Sequence, residues 1–583
     1  MQMKKVLAVV MSLCMTSGAV SYGAPFISQV ITAQAASVEG SCYSLDESTG
    51  VLTLKGNVDG DELREFSDDF KRNVKSVVAE NGTVLPEDSS DLFYYFRDCT
   101  SIDLSNADTS KVTNMKRMFL GCFKLTTLKI HSFDTSNVTD MAGMFGSCIN
   151  LAALDVSGFD TSKVTNMGGM FKDCYALTAL DVSGFDTSKV TNMGCMFYDC
   201  WRLTSLDVSN FDTSNVTYMN YMFYRCFLTT LDISKFDTSK VTDMSGMFDN
   251  CFYLTSLNVS GFDTGNVTDM SYMFRYCSLL NELDVSRFDT SSVTDMKHMF
   301  DGCWGVSTLD ISSFDTSNVT DMYGIFLDCS GLTSLDISGL DTSNVINMNS
   351  MFSKCSSLEE LDVSTLDTRN TKFMGSMFSG CSGLTTLDVS GLNTSNVTNM
   401  SSMFSGCTRL KELDVSGIDT SNVKNMRRMF YNCSKLSILD VSNFNTSKVT
   451  DMSGMFYGCS NLTTLDLSSF DTSNIADISE MFEYATETAP INFHPTNIKV
   501  EYSEKYHQVR FTWDKVTYAE RYGIAVYLAG KWRIQATNIT DTVYTSPKNL
   551  TPGKTYKVAI AARVYGKWDT ENAIKTAVTV TIK

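Results

Sequence analysis

From Leu151 the chain reads L-A-A-L-D-V-S-G-F-D-T-S-K-V-T-N-M-G-G-M-F-K-D-C-Y-A, and close variants of this text follow one another along most of its length. The opening L-x-x-L-x-V predicts a short strand of the leucine-rich-repeat kind. In the second half Val164, Met167, Met170, Phe171 and Cys174 fall on one stripe of helical period, which predicts a short helix. Thr165 stands where an N-cap would. Each unit therefore reads as strand, Asp-Thr-Ser turn, helix and return. One unit cannot bury its own apolar face, so units must stack and share a core. The ladder of single cysteines from Cys99 to Cys459 sets the step at 26 residues, with 23 at the start and 25 between Cys226 and Cys251. At strand spacing, fifteen such units span roughly 70 Å. The fold class expected is an α/β repeat solenoid, leucine-rich-repeat-like, with parallel strands plus short helices.

The ends of the chain differ from this middle. Lys4 and Lys5 precede the apolar run Val6 to Leu13, and Ala33-Gln34-Ala35 supplies small residues. Residues 1–35 thus read as a secretory signal peptide cleaved after Ala35. The protein is then expected outside the cell, secreted or held at the surface without a membrane span. Residues 36–95 read as an N-terminal cap, since Cys42 to Val58 alternates around a Ser-Thr-Gly turn as a β-hairpin does. The solenoid occupies 96–486, with Ala485 in place of the last cysteine, and a proline-containing linker occupies 487–495. In 496–583 the alternating runs Val509 to Trp513, Tyr522 to Tyr527 and Lys557 to Ile560 predict an all-β sandwich.

The repeat text L-T-S-L-D-V-S-x-F-D-T-S-x-V-T-x-M-x-x-M-F-x-x-C resembles that of the BspA-like leucine-rich repeat surface proteins, in the variant also abundant in mycoplasma lipoproteins. The match covers Phe96 to Phe482. The C-terminal segment Leu550-Thr-Pro-Gly-Lys-Thr-Tyr556, with Trp513 as core tryptophan, is similar to the corner of fibronectin type III domains. The first resemblance implies a bacterial surface or secreted protein used in adhesion, matrix binding or aggregation. The N-V-T triplets at Asn137, Asn215, Asn266, Asn318 and Asn396 read as repeat text in a bacterium.

Charge narrows the partners. The net charge of −19 is uneven, because Asn497 to Lys583 carries 14 basic and 7 acidic residues. The acidic middle is a poor surface for nucleic acid. Two aspartate ladders, Asp155 to Asp232 with Asp284 to Asp466 and Asp134 to Asp263, raise calcium as a reading. Asn393 and Asn445 at the turn position, and Lys129 and Asn258 on the strand, favour Asx-turns instead. No metal or cofactor is expected. The cysteines read as buried thiols and the methionines as core filler. His131, His298, His494 and His507 are scattered, and no nucleophile elbow or phosphate loop occurs, so no catalytic residue and no enzyme activity is expected.

One asymmetry points to a site. From Cys122 to Cys303 the residue after the ladder cysteine is Phe123, Ile149, Tyr175, Trp201, Phe227, Phe252, Ser278 and Trp304, six of the eight aromatic, but in the second half it is mainly serine. The fold does not require aromatics there, and an exposed aromatic stripe marks a partner surface. These six residues are the candidate ligand-binding set. The function read from the sequence is an adhesin-like scaffold that binds host or matrix proteins or neighbouring cells through the solenoid surface. The alternatives are a glycan-binding module that uses the aromatic edge and a structural surface-layer component, so self-association stays open.

Overall fold

In a computed structural model, residues 37–583 are described apart from 464, 466, 468, 472, 473, 478, 484–493, 517, 518, 565 and 566. The expected leader at 1–35, Asp466, Ala485 and most of the expected linker lie outside the described residues. The described chain begins with β1 (Ser37–Glu39), β2 (Tyr43–Asp46), β3 (Val51–Leu54), α1 (Gly60–Arg64), α2 (Asp68–Asn73), β4 (Ser76–Ala79), β5 (Thr83–Val84), β6 (Ser101–Asp103), β7 (Ala107–Asp108) and β8 (Thr127–Lys129). The strands β2 and β3 form the hairpin, antiparallel from Tyr43 opposite Leu54. At its turn the Asp46 carboxylate accepts the Ser48 amide at 2.8 Å and Gly50 takes φ +73°, a left-handed conformation that costs glycine little. Pairing becomes parallel from β3 to β4 and continues through β6 to β8, so the hairpin seeds the register of the stack.

Beyond β8 the units stack in parallel, joined by one backbone bridge per unit that runs from Asp88 and Asn114 through Asp140 and Asn166 to Asp451 and Asp477. The structure corrects the expected helix. No α-helix forms among the described repeat residues; the stretch Met141–Cys148 is a chain of overlapping turns, closed by the amides of Met144, Gly146 and Cys148 on the carbonyls three residues before. The amides of Met141, Gly143, Phe145 and Ser147 donate instead to the next unit, at 2.7–3.0 Å. Gly143 and Ser147 have φ +63° and +56°, and Gly169 and Asp173 repeat this in the next unit. Left-handed residues four apart cannot lie in an α-helix, and the third position of a type II turn requires them. Thr165 caps nothing; its amide donates to the Thr139 carbonyl at 2.9 Å.

The expected strand is corrected in part. Among the described residues only β6 and β8 form strands at the L-x-x-L position, and the later L-x-x-L segments form bridges only at Thr230 with Ser256 and Glu412 with Ile438, with single backbone bonds elsewhere such as Thr333 to Ser307 at 3.0 Å. Like charges on adjacent strands repel. Pairing holds where Lys129 sits 2.8 Å from Asp103 and beside Asn258, which replaces an aspartate. The bridge at Glu412 forms without such relief. Elsewhere Asp155, Asp181 and Asp207 each accept the amide of the serine two residues on, at 3.0–3.1 Å. Asp134 and Asp160 do the same at the second corner, and Asp140 accepts the Ala142 amide at the third, so all three acidic rows cap turns. Serine hydroxyl and amide donors hold the Asp155 and Asp160 carboxyls below their ordinary range.

The core is a set of ladders. Phe93, Phe119, Phe145 and their successors to Phe482 stack ring on ring at 5.6–5.9 Å with planes within 14°. The methionines of both ladders are buried beside them. From Cys122 onward each ladder thiol donates to a phenylalanine carbonyl of the preceding unit, as Cys148 does to Phe119 at 3.3 Å, while Cys99 donates to the Ser101 carbonyl. All 17 described cysteines are reduced, and only Cys195 is not buried. Burial lifts Cys99 and Cys459 to about 12. Because the thiolate is the reactive form, a thiol reagent added to native protein should reach Cys195 at most among these, and every cysteine after unfolding. Rapid native titration of several thiols would contradict the packing.

The remaining elements are β9 (Lys499–Ser503), β10 (Gln508–Thr512), β11 (Ala519–Leu528), β12 (Lys531–Ile539), β13 (Val543–Thr545), β14 (Thr555–Val564), β15 (Lys567–Trp568), α3 (Thr570–Lys575) and β16 (Val578–Thr581). They form two antiparallel sheets, β13-β10-β9 and β12-β11-β14-β15 with β16 also on β14. One core joins them, with Val509, Phe511 and Trp513 against Tyr522, Ile524, Val558 and Ile560. The Tyr522 hydroxyl accepts the Val516 amide at 2.8 Å, which satisfies its buried oxygen.

Candidate functional site

All but one of the units return through two residues between the ladder cysteine and the next core aliphatic; the Leu151 amide meets the Cys148 carbonyl at 3.1 Å, and Leu177 meets Cys174 at 3.2 Å. Cysteine and leucine enter the core, so the two residues between them point outward. This geometry puts the residue after the cysteine on an edge, one per unit.

Three of the six candidate residues come together there. Tyr175 lies edge-on to Trp201 at 6.3 Å, and Trp201 edge-on to Phe227 at 6.1 Å. Phe227 then meets Tyr253 at 4.9 Å, and Tyr253 takes the place expected for Phe252. The unit Cys226-Phe227-Leu228 lacks one turn residue, which shifts the next ring by a position. Phe252 turns to Tyr276 instead, at 6.0 Å. Phe123 packs on Tyr95 at 5.7 Å. Trp304 is exposed but touches no other ring among the described residues, and Ser278, one unit before it, is buried. The site is thus a run of four rings over consecutive units, with Trp201 38% and Tyr253 48% exposed. The sequence carried the signal for Tyr253 in the single 25-residue step.

A second cluster lies on the neighbouring turn chain and was not legible as a group. Arg275 binds Asp249 through two contacts of 2.8 Å, from Nε to Oδ1 and from Nη2 to Oδ2, and covers Tyr272 at 4.6 Å. His298 Nδ1 lies 2.9 Å from Asp301 Oδ2, and its ring stacks on Tyr272 at 5.2 Å. Arg225 reaches Asp199 at 3.1 Å. Burial pushes Asp249 up to about 6 against the pull of Arg275. Arg275 and Asp249 are spent on each other, as a buried pair must be, whereas Asp199 Oδ1 and Asp301 Oδ1 are buried without a hydrogen-bond partner among the described residues; no set of three or more His, Cys, Asp or Glu among them is placed to hold a metal. Beside the aromatic run, on the L-x-x-L face, a groove of about 540 Å³ opens over the units from Thr230 to Glu282. No described helix is long and apolar enough to cross a membrane.

A family described as "Mycoplasma protein of unknown function, DUF285" matches the chain at residues 90–201, 175–258, 226–326, 253–357, 329–436 and 406–501. No curated protein matches it.

Proposed function

The chain belongs to the DUF285 family, whose repeat text fills residues 90–501, and from that premise we propose that it is an extracellular, adhesin-like scaffold of the cell surface. It works by contact rather than catalysis. A BspA-like solenoid carries the contact surface, and the C-terminal module is a fibronectin type III-like domain. The parallel bridge in every unit supports the solenoid. The division into a three-stranded and a longer antiparallel sheet supports the sandwich.

The observation that carries the reading is the run Tyr175–Trp201–Phe227–Tyr253, with Trp201 and Tyr253 exposed and the other two half-buried, in units whose later counterparts hold Ser356, Ser382 and Ser434 at the same position. Rings that the fold can replace with serine are retained for a partner. Replacing Trp201 and Tyr253 together with Ser should lower adhesion of the full chain to cells or matrix at least tenfold and leave its circular dichroism unchanged. Trp304→Ser, outside the run, should change it less than twofold. A folded double variant that adheres like the parent would refute the site.

A further inference from the structure

The groove beside the aromatic run is built differently from the same face elsewhere. Its floor is Leu231 and Leu257, and Thr230 and Ser256 bring hydroxyls. Asn258 replaces the aspartate found at Asp232 and Asp284, and Asn281 stands where Thr255 and Ser307 stand in neighbouring units. The Asn258 side-chain oxygen accepts the Ser260 amide at 3.1 Å and its hydroxyl at 2.7 Å, so its amide N–H₂ is left to donate outward. Asp232 and Glu282 add carboxylate acceptors, and no basic side chain lines the groove. No ring lines the groove itself; Phe227 precedes Thr230 by three residues and Tyr253 precedes Thr255 by two, so both rings stand on the turns that lead into its lining.

Resting on the adhesin reading, we infer that this groove and the aromatic run beside it bind a neutral or amino-sugar glycan chain. A sugar ring has an apolar C–H face, which stacks on an aromatic ring, and an equatorial rim of hydroxyls that donate and accept at once. Amides and carboxylates side by side satisfy such hydroxyls, and aromatic rings with a few placed polar groups fix orientation. Acidic glycans and phosphorylated ligands lack a cation here. An extended peptide finds no free sheet edge, because Thr230 and Ser256 are already bridged to each other. The four rings, one per unit, span roughly 15 Å at strand spacing, which suits a linear chain lying along the stack.

The test is a glycan array probed with the full chain, followed by titration of the best binder against tryptophan fluorescence. Asn258→Asp and Asn281→Thr restore residues that other units carry, so both variants should fold. Each should weaken binding of a neutral or amino-sugar oligosaccharide tenfold or more, while Ser434→Ala should not. Binding unaffected by both variants, or confined to acidic glycans, overturns the assignment. Silence across the array from a protein that still adheres through Trp201 and Tyr253 refutes the sugar and leaves the adhesin reading standing; a protein that adheres to nothing removes both.

Discussion

Phe274→Ala is expected to cost about 3–5 kcal/mol, the range for truncating a large buried aromatic. The ring is fully buried and stacks at 5.8 Å on Phe248 and 5.9 Å on Phe300, with Phe288 at 6.4 Å on a third side. Its neighbours are clamped by backbone bonds to the following units, Phe248 to Met273 and Phe300 to Ile325, each at 3.0 Å, so they cannot slide in to fill the space. In a stack where each unit touches only its neighbours, the damage stays local. Hydrogen exchange should rise first in the amides of the units that carry Phe248, Phe274 and Phe300, before those near Phe119 or Phe430. Uniform loosening of the whole array would contradict this. Phe274→Leu should recover part of the loss by refilling volume.

Arg275→Met should cost a comparable amount, about 3–5 kcal/mol at pH 8, because it strands a buried carboxylate. The pH dependence identifies the cause. In the native protein Asp249 keeps its proton up to about 6, whereas its ordinary value is 3.8. A raised acid is most favourable below the unfolded value, and that contribution disappears as pH rises through the folded one. Without Arg275 the folded value climbs further, so at pH 5 the carboxyl is neutral in the variant and little is lost. The stability gap between parent and variant, read from urea unfolding, should therefore be wide at pH 8 and narrow at pH 5. A gap of constant width would mean that Arg275 contributes packing over Tyr272 rather than charge.

The period, the apolar ladders and the hairpin were legible because repetition shows which positions stay apolar. Helix and turn were not separable by spacing alone. Met141, Met144, Phe145 and Cys148 enter the core at intervals of three and four whether the backbone coils or turns. The distinguishing mark was present at Gly143, Gly169, Gly246, Gly324 and Gly454, all left-handed, and in the Asp, Asn or Gly that often stands four residues later. Those residues tolerate positive φ and break helices. The aromatic edge was legible by contrast with the later serines, but its fourth ring depends on the register slip at Phe227. The Arg275 and His298 cluster could not be read, since its members come from separate units and meet only through the stack.

The bonds that join one unit to the next also decide how the molecule carries load. Amides of Met141, Gly143, Phe145 and Ser147 all point at the following unit, so a pull that separates neighbouring units meets only a handful of bonds at a time. Tension applied at one end would peel the array unit by unit rather than rupture it at once. Each 26-residue unit releases roughly 90 Å of chain when drawn out. A tether built this way lengthens in steps under drag, spreads a sudden force over time, and keeps the units that still hold their partner in shape.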